Sequence, residues 1–394
     1  MDQSKYLNSK SQEIALLLTV ACVGMIAFMQ VYSIQSILPI LQEDLSINAV
    51  TAGSLVGATV LAISLISPFM GMISDALGRR VFIIGAIFLL SVPTFMISYA
   101  ETEQQIWLCR FFQGLCIPSI TVVLIAFVGE EFSGTLRLKL MSFYVSGTVL
   151  GGFLGRFLVG NMTSWIGWQK AYVVMAAISF LSALVVIKYL PKSENFVAKP
   201  NVKQAFIQLL AHIHNPHIIA ACLLGFCVMY SLVGSFTYIN LHFAEAPYYF
   251  SASDLANVFA VYLVGMLVTP ISAKMISRFG GSMTATLSVL ISVSGVLLSL
   301  MSPVWVVILS LILISSGVFI ANSATINYIA MNVTQGRSLA SGIYYLCFYA
   351  GGAAGAFICG LAYEVGKWPY TVVALLMIQG MGMVVANTLM RKAA

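Results

Sequence analysis

Twelve runs of 18 or more mostly apolar residues divide this chain of 394 residues almost end to end. They fall near 14–38, 50–72, 81–100, 106–129, 140–161 and 170–190, and again near 217–242, 255–275, 283–301, 304–329, 338–361 and 369–390. About 20 apolar residues are what an α-helix needs to cross the hydrocarbon core of a bilayer. Only 8% of the residues are charged and 60% are hydrophobic, so no water-facing shell can be built round a core of this size. A soluble domain and a disordered chain are both excluded. The fold class that follows is an all-α membrane protein of twelve transmembrane helices, with lipid as its main surroundings and no large extramembrane domain. The first run is longer than the apolar stretch of a signal peptide and leads straight into further spans, so it reads as a retained helix.

Charge predicts the orientation. With the N-terminus placed in the cytoplasm, Lys5, Lys10, Arg79, Arg80, Arg137, Lys139, Lys188, Lys192, Lys199, Lys203, Lys274, Arg278, Arg337, Arg391 and Lys392 all fall on the inner side. Only Lys170 and Lys367 fall outside, while Arg110 and Arg156 lie within spans. The positive-inside rule therefore puts both termini in the cytoplasm, as an even number of crossings requires. The net charge of +6 is a topology signal, and its basic residues are too scattered to read nucleic acid. Short loops suit a bacterial inner membrane. All seven cysteines lie in apolar spans as small hydrophobes and predict no disulfide framework. His212, His214 and His217 form an H-x-H-x-x-H cluster with no Cys or carboxylate within it, so no metal site is assigned.

Residues 191–216, with Pro191, Pro200 and Pro216, form the longest polar connection. This divides the chain into an N-terminal six-helix bundle (1–190), a linker (191–216) and a C-terminal six-helix bundle (217–394). Within the linker, Val202 to Ile213 alternates at helical spacing, as either a surface-lying amphipathic helix or a solvated strand of linker. The halves look duplicated. At an offset of 200, Arg137, Tyr144, Gly151, Gly152, Gly155, Phe157, Gly160 and Trp168 match identical residues at 337–368, and at 202 Pro68 matches Pro270 and Gly78 matches Gly280. An offset of six spans preserves direction, so the repeat is parallel, the relation between two six-helix transporter halves.

The connection between spans two and three reads Gly71-Met-Ile-Ser-Asp75-Ala-Leu-Gly78-Arg79-Arg80. It resembles the signature G-x-x-x-D-x-x-G-R-[RK] of the major facilitator superfamily, and the length, span count, orientation and parallel duplication agree with that family over essentially the whole chain. Gly71 allows close helix approach, Asp75 can accept from the N–H groups that open a neighbouring helix, and Arg79 can pair with Asp75 four residues away. Gly71, Asp75, Gly78, Arg79 and Arg80 would thus form a conformational latch; the alternative is a tight turn whose arginines only hold the loop inside. The matching second-half stretch has Ser277 in place of Asp75, which makes the latch one-sided.

In span four, Arg110-Phe-Phe-Gln113-Gly114 resembles the family's R-x-x-Q-G motif. A guanidinium within a span has to face a cavity or a partner. The resemblance implies that Arg110 and Gln113 line the central cavity and take part in coupling; the structural alternative is an interhelical anchor. Span five, with Gly147, Gly151, Gly152, Gly155 and Arg156, resembles the antiporter signature G-x-x-x-G-P-x-x-G-G. Glycines four apart let helices pack closely. Gly152 stands where Pro is usual and Arg156 where the last Gly is usual, and the second-half counterpart of Arg156 is Ala356. Arg156 either touches substrate or closes the outer gate, or else is a snorkelling or carbonyl-bonded arginine near the outer helix end. Tyr32, Gln35, Tyr238 and Asn322 complete the substrate candidates.

None of the thirteen acidic residues lies mid-span, so the cavity is expected to be positive or neutral and to favour anionic, zwitterionic or neutral substrates. Proton carriers, if any, are peripheral: Asp75, Glu130, Glu131 or His242. No ATP-binding loop, H-E-x-x-H or G-x-S-x-G sequence occurs, so an enzyme is not expected and the energy source is a gradient, with no cofactor. The span-one run Tyr32-Ser-Ile-Gln35-Ser-Ile-Leu38-Pro39 and the span-five glycines look most like the twelve-helix drug-efflux branch of the family, acriflavine-resistance type. That resemblance implies a monomeric, proton-coupled antiporter exporting small molecules by alternating access. Uptake or facilitated diffusion of a small metabolite is the alternative.

Overall fold

The computed structural model describes residues 10–193, 214–333 and 337–392, without the side chains of 71, 72, 75–77, 337, 338, 391 and 392. The stretch 202–213, His212, and the surroundings of Gly71 and Asp75 therefore lie outside the described residues. Every regular element described is helical. In chain order these are α1 (Lys10–Leu45), α2 (Ala49–Leu77), α3 (Arg79–Ile97), α4 (Glu103–Glu131), α5 (Gly134–Ile166) and α6 (Trp168–Tyr189). They continue with α7 (Pro216–Ala244), α8 (Ala252–Phe279), α9 (Gly281–Leu298) and α10 (Val304–Asn332). A final run, Arg337–Lys392, is broken where Gly366 (φ −153°, ψ 28°) and Lys367 (φ 57°, ψ −151°) leave helical geometry. That break separates α11 (337–365) from α12 (368–392), so eleven continuous apolar runs make twelve crossings.

Local sequence accounts for the helix ends. Asn48 accepts from Thr51 N–H at 2.8 Å at the start of α2, and Thr102 with Gln105, and Ser251 with Asp254, form capping boxes that open α4 and α8. Three connections shrink to one glycine: Gly78, Gly167 and Gly280, with φ of 92°, 80° and 79°. Only a residue without Cβ adopts this geometry cheaply. At an offset of 200 from Gly167 stands Lys367, which takes its positive φ with a side chain attached.

The Lys139–Glu13 and Arg79–Glu130 pairs, and the bonds from Arg80 to Ile187 and Leu190, bring the start of α1, the α2–α3 turn, the end of α4, the start of α5 and the end of α6 together at one end, here termed the terminal end. The opposite end is the distal end. Large apolar side chains such as Leu65, Leu89, Phe112, Leu181, Leu267 and Met377 are exposed on the outside, as a lipid-facing surface requires. α7 is the most enclosed of the spans.

The glycines of α5 set the first bundle. A Cβ added at Gly147, Gly151 or Gly155 would strike the backbone carbonyl oxygens of Ala21, Met25 and Met29, one turn apart along α1. In the second bundle Gly351 and Gly355 of α11 meet Phe226 and Tyr230 of α7 in the same way. The duplicated glycines thus make duplicated helix contacts, and the two six-helix bundles are parallel copies of one arrangement. The bundles join along two seams, α2 against α11 and α5 against α8.

Backbone-to-backbone contact leaves no room for repacking. Gly151→Leu is expected to cost more than the roughly 1–3 kcal/mol of ordinary overpacking and to abolish a monodisperse peak in detergent size-exclusion chromatography. Gly380→Ala, whose Cβ would meet nothing within 4 Å, is the control that should leave that peak intact.

Candidate functional site

The regular part of α1 ends at Tyr32, and Gln35 opens a 3-10 turn, Gln35–Ile37, ahead of Pro39. This turn places Gln35 between the bundles. Its Nε2 donates to Thr237 Oγ1 of α7 at 3.1 Å, and its backbone carbonyl accepts from Asn240 Nδ2, also of α7, at 2.9 Å. Its Oε1 accepts from Arg156 Nε of α5 at 2.7 Å. Tyr32, one turn earlier on α1, lies with its ring 4.2 Å from the Arg156 guanidinium. Three of the residues singled out in the sequence are therefore brought together.

Around Arg156 the second bundle contributes aromatic rings. Phe259 and Tyr262 of α8 lie 4.5 and 4.7 Å from the guanidinium carbon and Phe236 of α7 lies at 5.9 Å. Ring faces carry negative quadrupole charge and attract a desolvated cation. Arg156 is wholly buried. Its Nη1 donates to Gly152 O at 2.6 Å, one turn back on its own helix; the Tyr262 hydroxyl stands beside the guanidinium, but Nη2 makes no hydrogen bond of full geometry among the described residues. No salt bridge to Arg156 occurs there either.

The two seams differ at this level. Along α2–α11, Gly57 approaches Ala356 so closely that a Cβ would lie 3.3 Å from the alanine methyl, and Gly352 meets Val60. At the matching positions of α5–α8, Arg156 meets Phe259 and Gly152 meets Tyr262. A small–small pair in one seam is replaced by a cation and an aromatic ring in the other. Tyr238 belongs to the compact seam: its hydroxyl donates to Ala356 O and fills the space that Gly53 and Gly360 leave open.

Arg110 and Gln113 are deployed differently. Arg110 Nε donates to Leu55 O at 3.3 Å, Nη1 to Gln30 O at 2.7 Å and Gln113 Oε1 at 2.8 Å, and Nη2 to Val31 O. Gln113 Nε2 in turn donates to Thr94 Oγ1 at 2.8 Å. Every guanidinium nitrogen is satisfied by α1, α2 or α4 of the same bundle, so the residue ties three helices together. Asn322 likewise stays within the second bundle, where its Oδ1 accepts from Tyr344 at 2.7 Å.

Toward the terminal end, Arg79 forms a two-pronged pair with Glu130 of α4 at 2.6 and 3.1 Å and also reaches Ser74. Arg80 donates to Leu190 O and Ile187 O at 2.7 and 2.6 Å, closing the free carbonyls that end α6. Gly78 supplies the turn between α2 and α3. His217 Nδ1 meets Tyr328 OH at 2.9 Å.

Among the described residues, several hydrogen bonds between the bundles lie in the distal half. Besides the Gln35 links, Ser253 Oγ donates to Asn161 Oδ1 at 2.5 Å, and Ala49 N–H, opening α2, donates to Glu364 Oε1 of α11 at 2.5 Å. Near the middle, Ser64 Oγ donates to Leu346 O at 2.7 Å. Sequence reasoning missed Thr237, Phe259, Tyr262 and Glu364 as members of this interface. The three in spans are ordinary residues there, and nothing in their spacing says which bundle they face.

The family model described as Major Facilitator Superfamily matches residues 20–356. The chain is 25% identical over 346 residues to an uncharacterized transporter of Buchnera aphidicola subsp. Baizongia pistaciae, covering 88% of this chain and 86% of that protein. It is 26% identical over 348 residues to the inner membrane transport protein YnfM of Escherichia coli K12, with 88% and 83% covered. Among solved structures it resembles a bacterial homologue of the human lysosomal transporter Spinster, inward-facing and occupied, with a TM-score of 0.75 at 15% identity, covering 98% and 97%.

The carbonyls that Arg110 satisfies dictate a stability test. Arg110→Ala strands buried acceptors on α1 and α2, each worth about 1–3 kcal/mol, and should sharply lower the unfolding temperature in detergent. Arg110→Lys, which keeps the charge but loses the fork, should fall between. A melting curve for Arg110→Ala that matches the parent would show that these bonds anchor nothing.

Proposed function

Because this chain belongs to the major facilitator superfamily, we propose that it is a proton-coupled secondary transporter that exports a small molecule across the bacterial inner membrane by alternating access. The bundles 1–190 and 217–394 rock about their two seams, with 191–216 as the tether, and both termini are cytoplasmic by the positive-inside rule. One observation carries the reading: among the described residues, Gln35 of the first bundle is tied to Thr237 and Asn240 of the second by side-chain hydrogen bonds, with Ala49–Glu364 and Asn161–Ser253 beside them. Bonds of this kind break and re-form at modest cost, unlike the glycine contacts inside each bundle. The distal end is the closed gate of such a cycle.

The span-five glycines and the resemblance to the drug-efflux branch support export. Arg156, Gln35 and Tyr32 belong to the substrate and gating region, with Tyr238 as a strut of the compact seam. Arg110, Gln113 and Asn322 serve within their bundles, transmitting motion and not holding cargo. Arg79 and Arg80, with Gly71, Asp75 and Gly78, act as the latch at the cytoplasmic end. A second reading, uniport or uptake of a small metabolite, is favoured by the absence of any mid-span carboxylate.

Proteoliposomes with an imposed pH gradient and a pH-sensitive dye inside test the proposal. Substrate-driven proton flux is expected, and its sign gives the direction. In an Asn161→Cys, Ser253→Cys double variant, whose parent side chains meet at 2.5 Å across the distal end, oxidation should arrest transport and reduction restore it. Substrate movement with no proton flux would leave the uniporter, and transport unaffected by a formed crosslink would remove the distal gate.

A further inference from the structure

Two guanidinium groups among the described residues, Arg110 and Arg156, have no solvent exposure at all, and they differ in their bonding. Arg110 has an acceptor on each nitrogen, whereas Arg156 Nη2 makes no hydrogen bond of full geometry among the described residues and no carboxylate there forms a salt bridge with it. An unpaired charge held away from water is costly. The duplicated partner of Arg156 is Ala356, so helix packing alone does not require a cation there. The position is also where the bundles meet: α1 and α5 supply Tyr32 and Arg156, while α7 and α8 supply Phe236, Phe259 and Tyr262.

On the reading of this chain as a small-molecule transporter, we infer that Arg156 is the anion-binding residue for a monoanionic organic acid with an apolar body. The acid's carboxylate takes the free Nη2 and, by displacing Gly152 O from Nη1, can bind the fork with both oxygens. A single positive charge in an apolar cage is neutralised by a monoanion; a dianion would leave one negative charge buried. The apolar body lies along ring faces that continue from the cage, from Tyr32 to Phe28 and from Tyr262 to Phe319. Gln35, bonded both to Arg156 and to α7, ties occupancy of the guanidinium to the links between bundles.

Thermal unfolding of the purified full chain in detergent tests this, with benzoate, 2-naphthoate and decanoate each set beside its neutral amide, and with benzylammonium. At least one acid is expected to bind about tenfold or more tightly than its amide, the range of a hydrogen bond to a charged group, and benzylammonium not at all. Arg156→Lys should keep the preference for the acid with weaker binding, and Arg156→Gln should bind acid and amide alike. A purely structural arginine would shift stability and leave that ratio unchanged. If Arg156→Gln does not survive extraction, phenylglyoxal labelling of the parent protein makes the same distinction, since the acid and not the amide should protect Arg156 in the mass spectrum. The inference falls if no acid outbinds its amide, if the glutamine variant keeps the preference, or if acid and amide protect equally. Because binding is read and not flux, an acid preference without proton flux would remove the coupling and keep the site, and proton flux without an acid preference would do the reverse.

Discussion

Hydrocarbon offers no hydrogen bonds, and the arrangement of this protein follows from that fact. Backbone groups within a span have to pair inside the helix, and polar side chains have to find acceptors in the protein. Short hydroxyls solve this locally: Thr94 donates to Leu90 O at 2.7 Å and Ser67 to Ile63 O at 2.6 Å, each on its own helix. A guanidinium cannot be satisfied by one turn of its own helix. Arg110 reaches across to α1 and α2, and in doing so fixes the spacing of three helices. Among the described residues Arg156 donates to Gln35 and its own Gly152, with aromatic rings and the Tyr262 hydroxyl around the rest of the guanidinium. The first is a finished structural joint. The second has bonding capacity left over at Nη2, at the contact between the bundles.

The internal duplication sharpens that contrast because each half is a control for the other. Gly151 and Gly155 on α1, and Gly351 and Gly355 on α7, make the same backbone contacts, so the bundles are built alike. The seams between bundles are not. Gly57 against Ala356 makes one seam compact, while Arg156 among Tyr32, Phe259 and Tyr262 makes the other bulky and charged. In each seam a glycine takes the larger side chain opposite it, Gly352 that of Val60 and Gly152 that of Tyr262. Chemistry is concentrated in one of the seams.

The sequence by itself determined the number of crossings, the gathering of basic residues at one end, the duplication, and the glycine positions at which helices touch. All are properties written along one dimension, as apolar run length, charge position and spacing by four. It also singled out Arg156, Gln35 and Tyr32, because a cation and an amide in apolar spans are conspicuous. It did not separate Arg110 from Arg156, both of which read as one arginine in one span. Nor did it pick out Phe259, Tyr262 or Thr237, since aromatic and hydroxyl residues are common in membrane helices. Only the tertiary structure decided which arginine is surrounded by carbonyls and which by rings. That depends on which helix faces which, and the facing is set by how close the glycines let the backbones come and how far the aromatic side chains hold them apart.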